Sequence, residues 1–447
     1  MSRARPARRL RSVPAVAAVV LAGCGPLVVE PSDAAGTDGG GVDGALIGAI
    51  EVTVSTGDVA DTPAIGATVV FLGPDGAELD TQATDGNGHA SATVPLGASV
   101  TVVRVRADGA DLTTILGVAP GDDLAFGALR EDAGIPRGPM SFPYTAYGGM
   151  PAATGYGFYT ACTTYTPVLV GPNLPHPELD SRCPGTFEML LVAFGTQPTR
   201  YVYAPAVPFS DGGAYTFPNT WTPMTELSVS YTQTPFDILS ELRTTAGPVL
   251  DGRVRFAPGI TTDPIAANHA VTLHVPQIGE GIQVATTLRR GEVQGSQLVV
   301  TRGVLSTSYG INLGDAMLPW LSAPIFDVGS ATVTWTRDGS GADAAVVVDA
   351  SYARSSGGQS YTWRVIAPGG ATQIALPTLP ASVGDLGPAL GDSTSATVRL
   401  LGFDGGRAYA DVRGEVDRHV DGGAEPWLRD TGATRVTISQ WQAPAFR

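Results

Sequence analysis

Lysine is absent from this chain, and all 27 basic residues are arginine. This pattern reflects the codon usage of a GC-rich genome and is not read as a functional signal. Cysteine occurs three times and histidine five times, so nucleophiles and metal ligands are scarce. Cys162 and Cys183 have 20 residues between them, whereas thiol redox motifs keep two residues between cysteines and zinc sites gather four ligands at local spacing. Of the histidines (His89, His176, His269, His274 and His419), only His269 and His274 are close. Their five-residue offset puts them on opposite faces of an extended strand, and no HExxH accompanies them, so they read as solvated or turn residues. No G-x-S-x-G elbow and no Gly-rich phosphate loop ahead of a helix is present. Cations are also in deficit: the formal net charge is −15, which makes nucleic acid and anionic lipid surfaces poor partners.

Long apolar runs are missing too. The chain opens with Arg3, Arg5, Arg8, Arg9 and Arg11 and no acid, and then has an apolar stretch from Val13 to Ala22. That is secretory h-region length, and residues 11–24 fall short of the roughly 20 apolar residues a transmembrane helix needs. The stretch ends in Leu21-Ala22-Gly23-Cys24. In this setting the tetrapeptide resembles a bacterial lipoprotein signal, a resemblance confined to the first 24 positions. It implies cleavage before Cys24 and a membrane anchor through lipid on that cysteine. One acyl chain binds membranes only marginally, and the two or three the resemblance implies anchor firmly. Gly25 follows the cysteine with no acidic retention signal, which by the same resemblance indicates the outer membrane in a diderm source and the outer face of the plasma membrane in a monoderm one. Removing the signal deepens the negative charge by its five arginines.

With Cys24 assigned to lipid, one cysteine pair is left. An exported compartment permits a Cys162–Cys183 disulfide, which would staple a loop holding Pro172, Pro175 and Pro177 and contribute roughly 3 kcal/mol by loop entropy.

The 447 residues, 43% hydrophobic with 57 Gly and 35 Pro, divide by pattern into a signal peptide at 1–23, a Gly/Asp-rich flexible linker at 24–44, and β-rich modules at 45–130, 131–240 and 241–447. In the first, Ile50, Val52 and Val54 alternate with polar neighbours, Thr68 to Leu72 is a second strand, and Gly73-Pro74-Asp75-Gly76 is a turn. Along Ser99 to Arg106 apolar residues occupy both parities, Val100 and Val102 on one and Val103 and Val105 on the other, which points to a bulge. The run Pro63-Ala64-Ile65-Gly66-Ala67-Thr68-Val69, then Thr84-Asp85-Gly86-Asn87-Gly88 and Pro95-Leu96-Gly97, resembles the carboxypeptidase regulatory-like family over residues 45–106. That resemblance implies a transthyretin-like or immunoglobulin-like sandwich and no peptidase activity. Asp85 to Asn87 does not open a calcium loop, because position twelve of an EF-hand would be Leu96.

The second module is rich in aromatics. Tyr144, Tyr147, Tyr156, Phe158 and Tyr159 are the candidate binding surface, since exposed aromatic faces hold sugars or proteins by apolar area and stacking; sheet core is the competing explanation. Thr234-Pro235-Phe236-Asp237 predicts a helix of about ten residues stopped by Gly247. Beyond it, Ala331 to Trp335, Val346 to Val348 and Tyr361 to Val365 predict a three-strand meander, and Arg435 to Trp441 a closing strand. Gly391-Asp392-Ser393 resembles the nucleophile block of a lipase-esterase family, but it lies in a Ser/Thr-rich loop with no Asp-x-x-His after it and reads as chance.

The expectation is therefore an all-β protein of several β-sandwich-like modules behind a lipoprotein signal peptide and linker, held at the cell envelope, with a structural or ligand- and partner-binding role and no catalysis. No cofactor or metal is expected. The partners are the membrane through the lipid, and an envelope protein or glycan. An envelope hydrolase with carboxylates converging in the third module, and a subunit of a larger envelope assembly, are the alternatives.

Overall fold

The computed structural model describes residues 46–441, apart from 57–61, 128–135, 149–154, 161–167, 170–177, 181–182, 184, 196–197, 251, 255, 263–264, 292–293 and 356–357. The signal segment, the linker, Cys24 and Cys162 lie outside the described residues. The fold is all-β, with a few short helices.

A thirteen-stranded sheet is its spine. From one edge the strands are Glu78–Ala83, Thr68–Leu72, Ala98–Arg106, Gly109–Val118, Ser360–Pro368, Ala345–Ala353, Ser393–Phe403, Arg435–Gln440, Gln294–Gly303, Gly281–Arg290 and Glu241–Leu250. Arg253–Val254 and Gly259–Thr262 both pair with the last. Every step is antiparallel except one, the parallel pairing of Gly109–Val118 with Ser360–Pro368. The sheet thus crosses the boundaries expected at 130 and 241, taking in strands from both the first and the third expected modules.

The two-parity pattern of Ala98–Arg106 follows from this placement. Val100 and Val102 pack into a core on one face, and Val103 into a different core on the other. A strand interior to a sheet covered on both sides reads as a continuous apolar run. Its one register shift lies between Ala98 and Ser99, ahead of the valines, so the pattern records two-sided burial and not a mid-strand bulge.

One face of the spine is covered first by a three-stranded sheet of Ile47–Val54, His89–Pro95 and Asp123–Phe126. Further along, short helical turns between Tyr409 and Asp430 take over, burying Val412, Val416, Val420, Trp427 and Leu428 in the same core. The opposite face is covered by a sheet of Ile325–Asp327, Thr332–Thr334 and Gln373–Ala375. At its far end the cover is a sheet of Thr225–Thr232, His269–Val275 and Ser308–Asn312. A separate five-stranded sheet, Val168–Leu169, Tyr156–Thr160, Thr186–Phe194, Pro198–Pro208 and Thr222–Pro223, carries the aromatic-rich region.

Three expectations change. Residues 234–239 make only a turn, with Ile238 N–H donating to Pro235 O at 3.2 Å, and the predicted helix is replaced by the strand Glu241–Leu250. There Leu242, Thr244 and Ala246 all point inward, so period-two burial prevails over the helical spacing of Ile238, Leu239 and Leu242. Gly247 lies inside this strand, where a Cβ would come within 1.7 Å of Phe256 O. The meander is two strands, Ala345–Ala353 and Ser360–Pro368; Thr332–Thr334 belongs to the covering sheet. The helical turns of 409–430 stand where the sequence reading placed only strands.

Candidate functional site

The predicted aromatic surface is mostly interior. Tyr156–Thr160 is the second strand of the five-stranded sheet, and its neighbour Thr186–Phe194 is apolar on both parities. Tyr144, Tyr156 and Phe158 are consequently buried in a core with Met140, Phe142 and Phe217. Phe142 and Phe158 rings lie 4.8 Å apart, as do those of Tyr144 and Tyr156. Burial, with Tyr156 beside it, pushes the Tyr144 phenol up to about 12. Tyr159 faces the other side of the sheet, packs edge-on against Phe256 at 4.8 Å, and is pushed up to about 12 by burial. These four residues are packing: Tyr144, Tyr156 and Phe158 fill the core on one side of the five-stranded sheet, and Tyr159 packs with Phe256 on the other.

Tyr147 differs. It is half-buried, its ring is 6.1 Å from Trp221, and the Arg200 guanidinium sits 5.0 Å from its centroid. The Trp221 indole N–H donates to Thr145 O at 3.1 Å, and the Tyr147 backbone N–H donates to the Tyr156 hydroxyl at 3.1 Å. Trp221 and Arg200 were not singled out from the sequence. Their pairing with Tyr147 comes through strands more than 50 positions away, which no local pattern shows.

Cys183 is fully buried, its Sγ 3.2 Å from the Thr160 hydroxyl. Arg137 donates to its carbonyl at 2.6 Å.

Among the described residues the histidines have separate surroundings. His269 stacks on Tyr231 with centroids 5.0 Å apart, and His274 lies 3.9 Å from Glu226 across the strand pair. His419 is buried under the helical turns, 3.4 Å from Glu415. Among the described residues, no group of three or more His, Cys, Asp or Glu could hold a metal ion. No helix among them is long and apolar enough to cross a membrane. Asp392 of the Gly-Asp-Ser triplet is an ion-pair partner of Arg354 at 3.1 Å and caps Ala389 N–H at 2.8 Å, a structural role.

The densest charge cluster lies between the spine and the helical turns. Arg364 holds Asp349 (2.7 Å), Asp417 (3.1 Å) and Asp421 (2.9 Å), and Arg399 holds Asp349 and, at 3.3 Å, Asp421. Burial pulls the Arg364 guanidinium down, but Asp349, Asp417 and Asp421 outweigh it and raise it above its ordinary value. Burial pushes the Asp421 carboxyl up, and the two guanidiniums more than offset this, holding it below the ordinary carboxylate value. Such a network pins parts of the chain together, with each of its two guanidiniums and three carboxylates meeting an opposite charge.

Among solved structures, the chain is similar to the Bacillus anthracis TIE protein at 12% identity and TM-score 0.15, over 60% of this chain and 50% of that one. It is similar to the pilus adhesin SpaC from Lactobacillus rhamnosus GG, open conformation, at 10% identity and TM-score 0.16, over 75% and 44%. A third is a pair of B repeat units of the collagen binding protein of Staphylococcus aureus, at 11% identity and TM-score 0.14, over 80% and 93%. The chain spans about half the length of the first two. No family model matches the chain, and no curated protein matches it.

Proposed function

We propose that this chain is an exported protein of the cell envelope, anchored by lipid on Cys24, with a structural or partner-binding role and no catalytic chemistry. The observation that carries the structural role is the continuous thirteen-stranded sheet, which joins strands from Thr68–Leu72 to Arg435–Gln440 into one platform. The address rests on the Leu21-Ala22-Gly23-Cys24 signal behind five arginines, with the Gly/Asp-rich linker holding the platform off the membrane. The outer membrane is the destination in a diderm source. The sheet pair over residues 45–126 has a sandwich form in keeping with the carboxypeptidase regulatory-like resemblance. A Cys162–Cys183 disulfide is part of the same reading, resting on the single cysteine pair left once Cys24 is assigned to lipid and on an exported compartment. The partner is an envelope protein or glycan, and the half-buried Tyr147–Trp221 pair is the aromatic area left to meet one.

The test is the Cys24→Ala variant in cells of the source organism. Wild type is expected in the membrane fraction and labelled by radioactive palmitate, and the variant unlabelled and released. A variant that stays in the membrane would overturn the lipid anchor.

A further inference from the structure

The face of the spine beneath the helical turns changes character where that cover ends. Opposite partners on antiparallel strands share a face, and one row across four strands reads Arg289, Ser296, Gln440, Arg399. The adjacent row reads Thr287, Leu298, Ile438, Leu401. Val420 and Asp421 stand on the short helical turn Val420–Gly422, and Gly423, which has no side chain to fill the space, lines the cleft beside them. What remains is a cleft of about 340 Å³, within the span of small-molecule sites, about 300–1,000 Å³.

Its polar groups are only partly engaged. Arg399 directs both terminal nitrogens to Asp349, Asp421 and the Val420 carbonyl, which leaves its Nε–H without an acceptor among the described residues. Asp421 takes all its guanidinium contacts on Oδ1, which leaves Oδ2. Gln440 donates weakly to Ser296 Oγ at 3.5 Å and keeps its carbonyl oxygen. The Thr287 hydroxyl has no hydrogen-bond partner among the described residues. Every formal charge at the cleft already has an opposite one: Arg399 with Asp349 and Asp421, and Arg289 with Glu241 at 3.2 Å. The vacant groups are thus donors and acceptors on residues that line one cleft, with Leu298 and Ile438 of the sheet and Val420 of the helical turn as its apolar lining.

The geometry points to this cleft as a binding site for a neutral saccharide unit. A sugar hydroxyl both donates and accepts, which suits Nε–H and Oδ2 together. Its ring carries C–H faces that suit the apolar lining, and it brings no charge to disturb the matched pairs. An anion would find no unpaired guanidinium, and a purely apolar ligand would strand the polar walls. This site supplies a ligand class for the binding role proposed above, and its test does not depend on the anchor.

The experiment is full-length protein in a zwitterionic detergent lacking a sugar headgroup, applied to an array of neutral oligosaccharides with hexose or N-acetylhexosamine ends and to their sialylated and uronate counterparts. Binding to neutral members is expected, falling at least tenfold in Thr287→Val/Gln440→Leu and severalfold in Arg289→Ala, an exposed position whose change leaves thermal unfolding unaltered. Cys24→Ala is expected to leave the binding intact, so loss of the anchor and loss of the site are told apart. Absence of neutral-saccharide binding, preference for the acidic counterparts, or loss on Trp221→Ala with the cleft variants unaffected would each overturn the assignment.

Discussion

Asp417 shows how much can rest on one carboxylate. It is 1% exposed, accepts the Gly127 N–H at 2.8 Å on one oxygen and holds Arg364 at 3.1 Å on the other. A helical turn, the end of a covering strand and the spine therefore meet at one side chain. Asp417→Ala leaves Arg364 with Asp349 and Asp421 but strips the buried Gly127 N–H of its acceptor, so it is expected to cost roughly 1–3 kcal/mol. Urea unfolding of this variant against Asp237→Ala, an exposed change, measures the difference; a loss equal to the control's would mean the cluster is solvated. The sequence shows Arg364 as the polar member of an alternating strand, which reads as facing water. Its acidic partners Asp349, Asp417 and Asp421 lie 15, 53 and 57 positions away, and only the fold brings them to it. The aromatics failed in the opposite sense. Tyr144, Tyr156 and Phe158 were legible as aromatics but not as interior, because the residues that bury them, such as Phe217, come from later in the chain.

At the scale of elements, strand patterning was legible wherever alternation was local. Thr68–Leu72 has the predicted ends, and Arg435–Gln440 falls within the predicted closing strand. The helical turns were missed although Tyr409, Val412, Val416, Val420 and Leu428 are spaced for one apolar side of a helix; Gly414, Gly422 and Gly423 interrupt the run and break it into one-turn pieces. The strand Gly109–Val118 carries the main element-level consequence. In a fragment of residues 45–130 it loses Ser360–Pro368 and becomes a bare edge, and Val103 and Leu112 lose the core of the opposite face. Exposed apolar edge strands pair with other chains. Size-exclusion chromatography of this fragment is expected to show soluble oligomers or aggregate; a clean folded monomer would mean that the parallel pairing is dispensable. Gly109 starts that pairing at φ +152°, where a Cβ would lie 1.7 Å from Ser360 O, so the junction tolerates no side chain there.

For the whole molecule, the all-β class followed from composition and turn spacing, whereas the continuity of the sheet did not, because a sequence shows strands and not which strands are neighbours. A shared sheet predicts shared stability. The six tryptophans all lie between positions 221 and 441, so their fluorescence reports the later part of the chain, while hydrogen exchange in Ile47–Val54 and Thr68–Leu72 reports the earlier part. The two are expected to change at the same denaturant concentration, as in a cooperative unit. Separate midpoints would restore independent modules.

The single parallel step also sets a clock. Gly109–Val118 leaves the ribosome about 250 residues before the strand it must lie beside. At synthesis rates of about 5–20 residues per second, it waits roughly 10–50 s with one side unoccupied. That interval is an opportunity for wrong pairing, because an unpaired strand edge is open to other chains, and it closes only once residues 360–368 have been made.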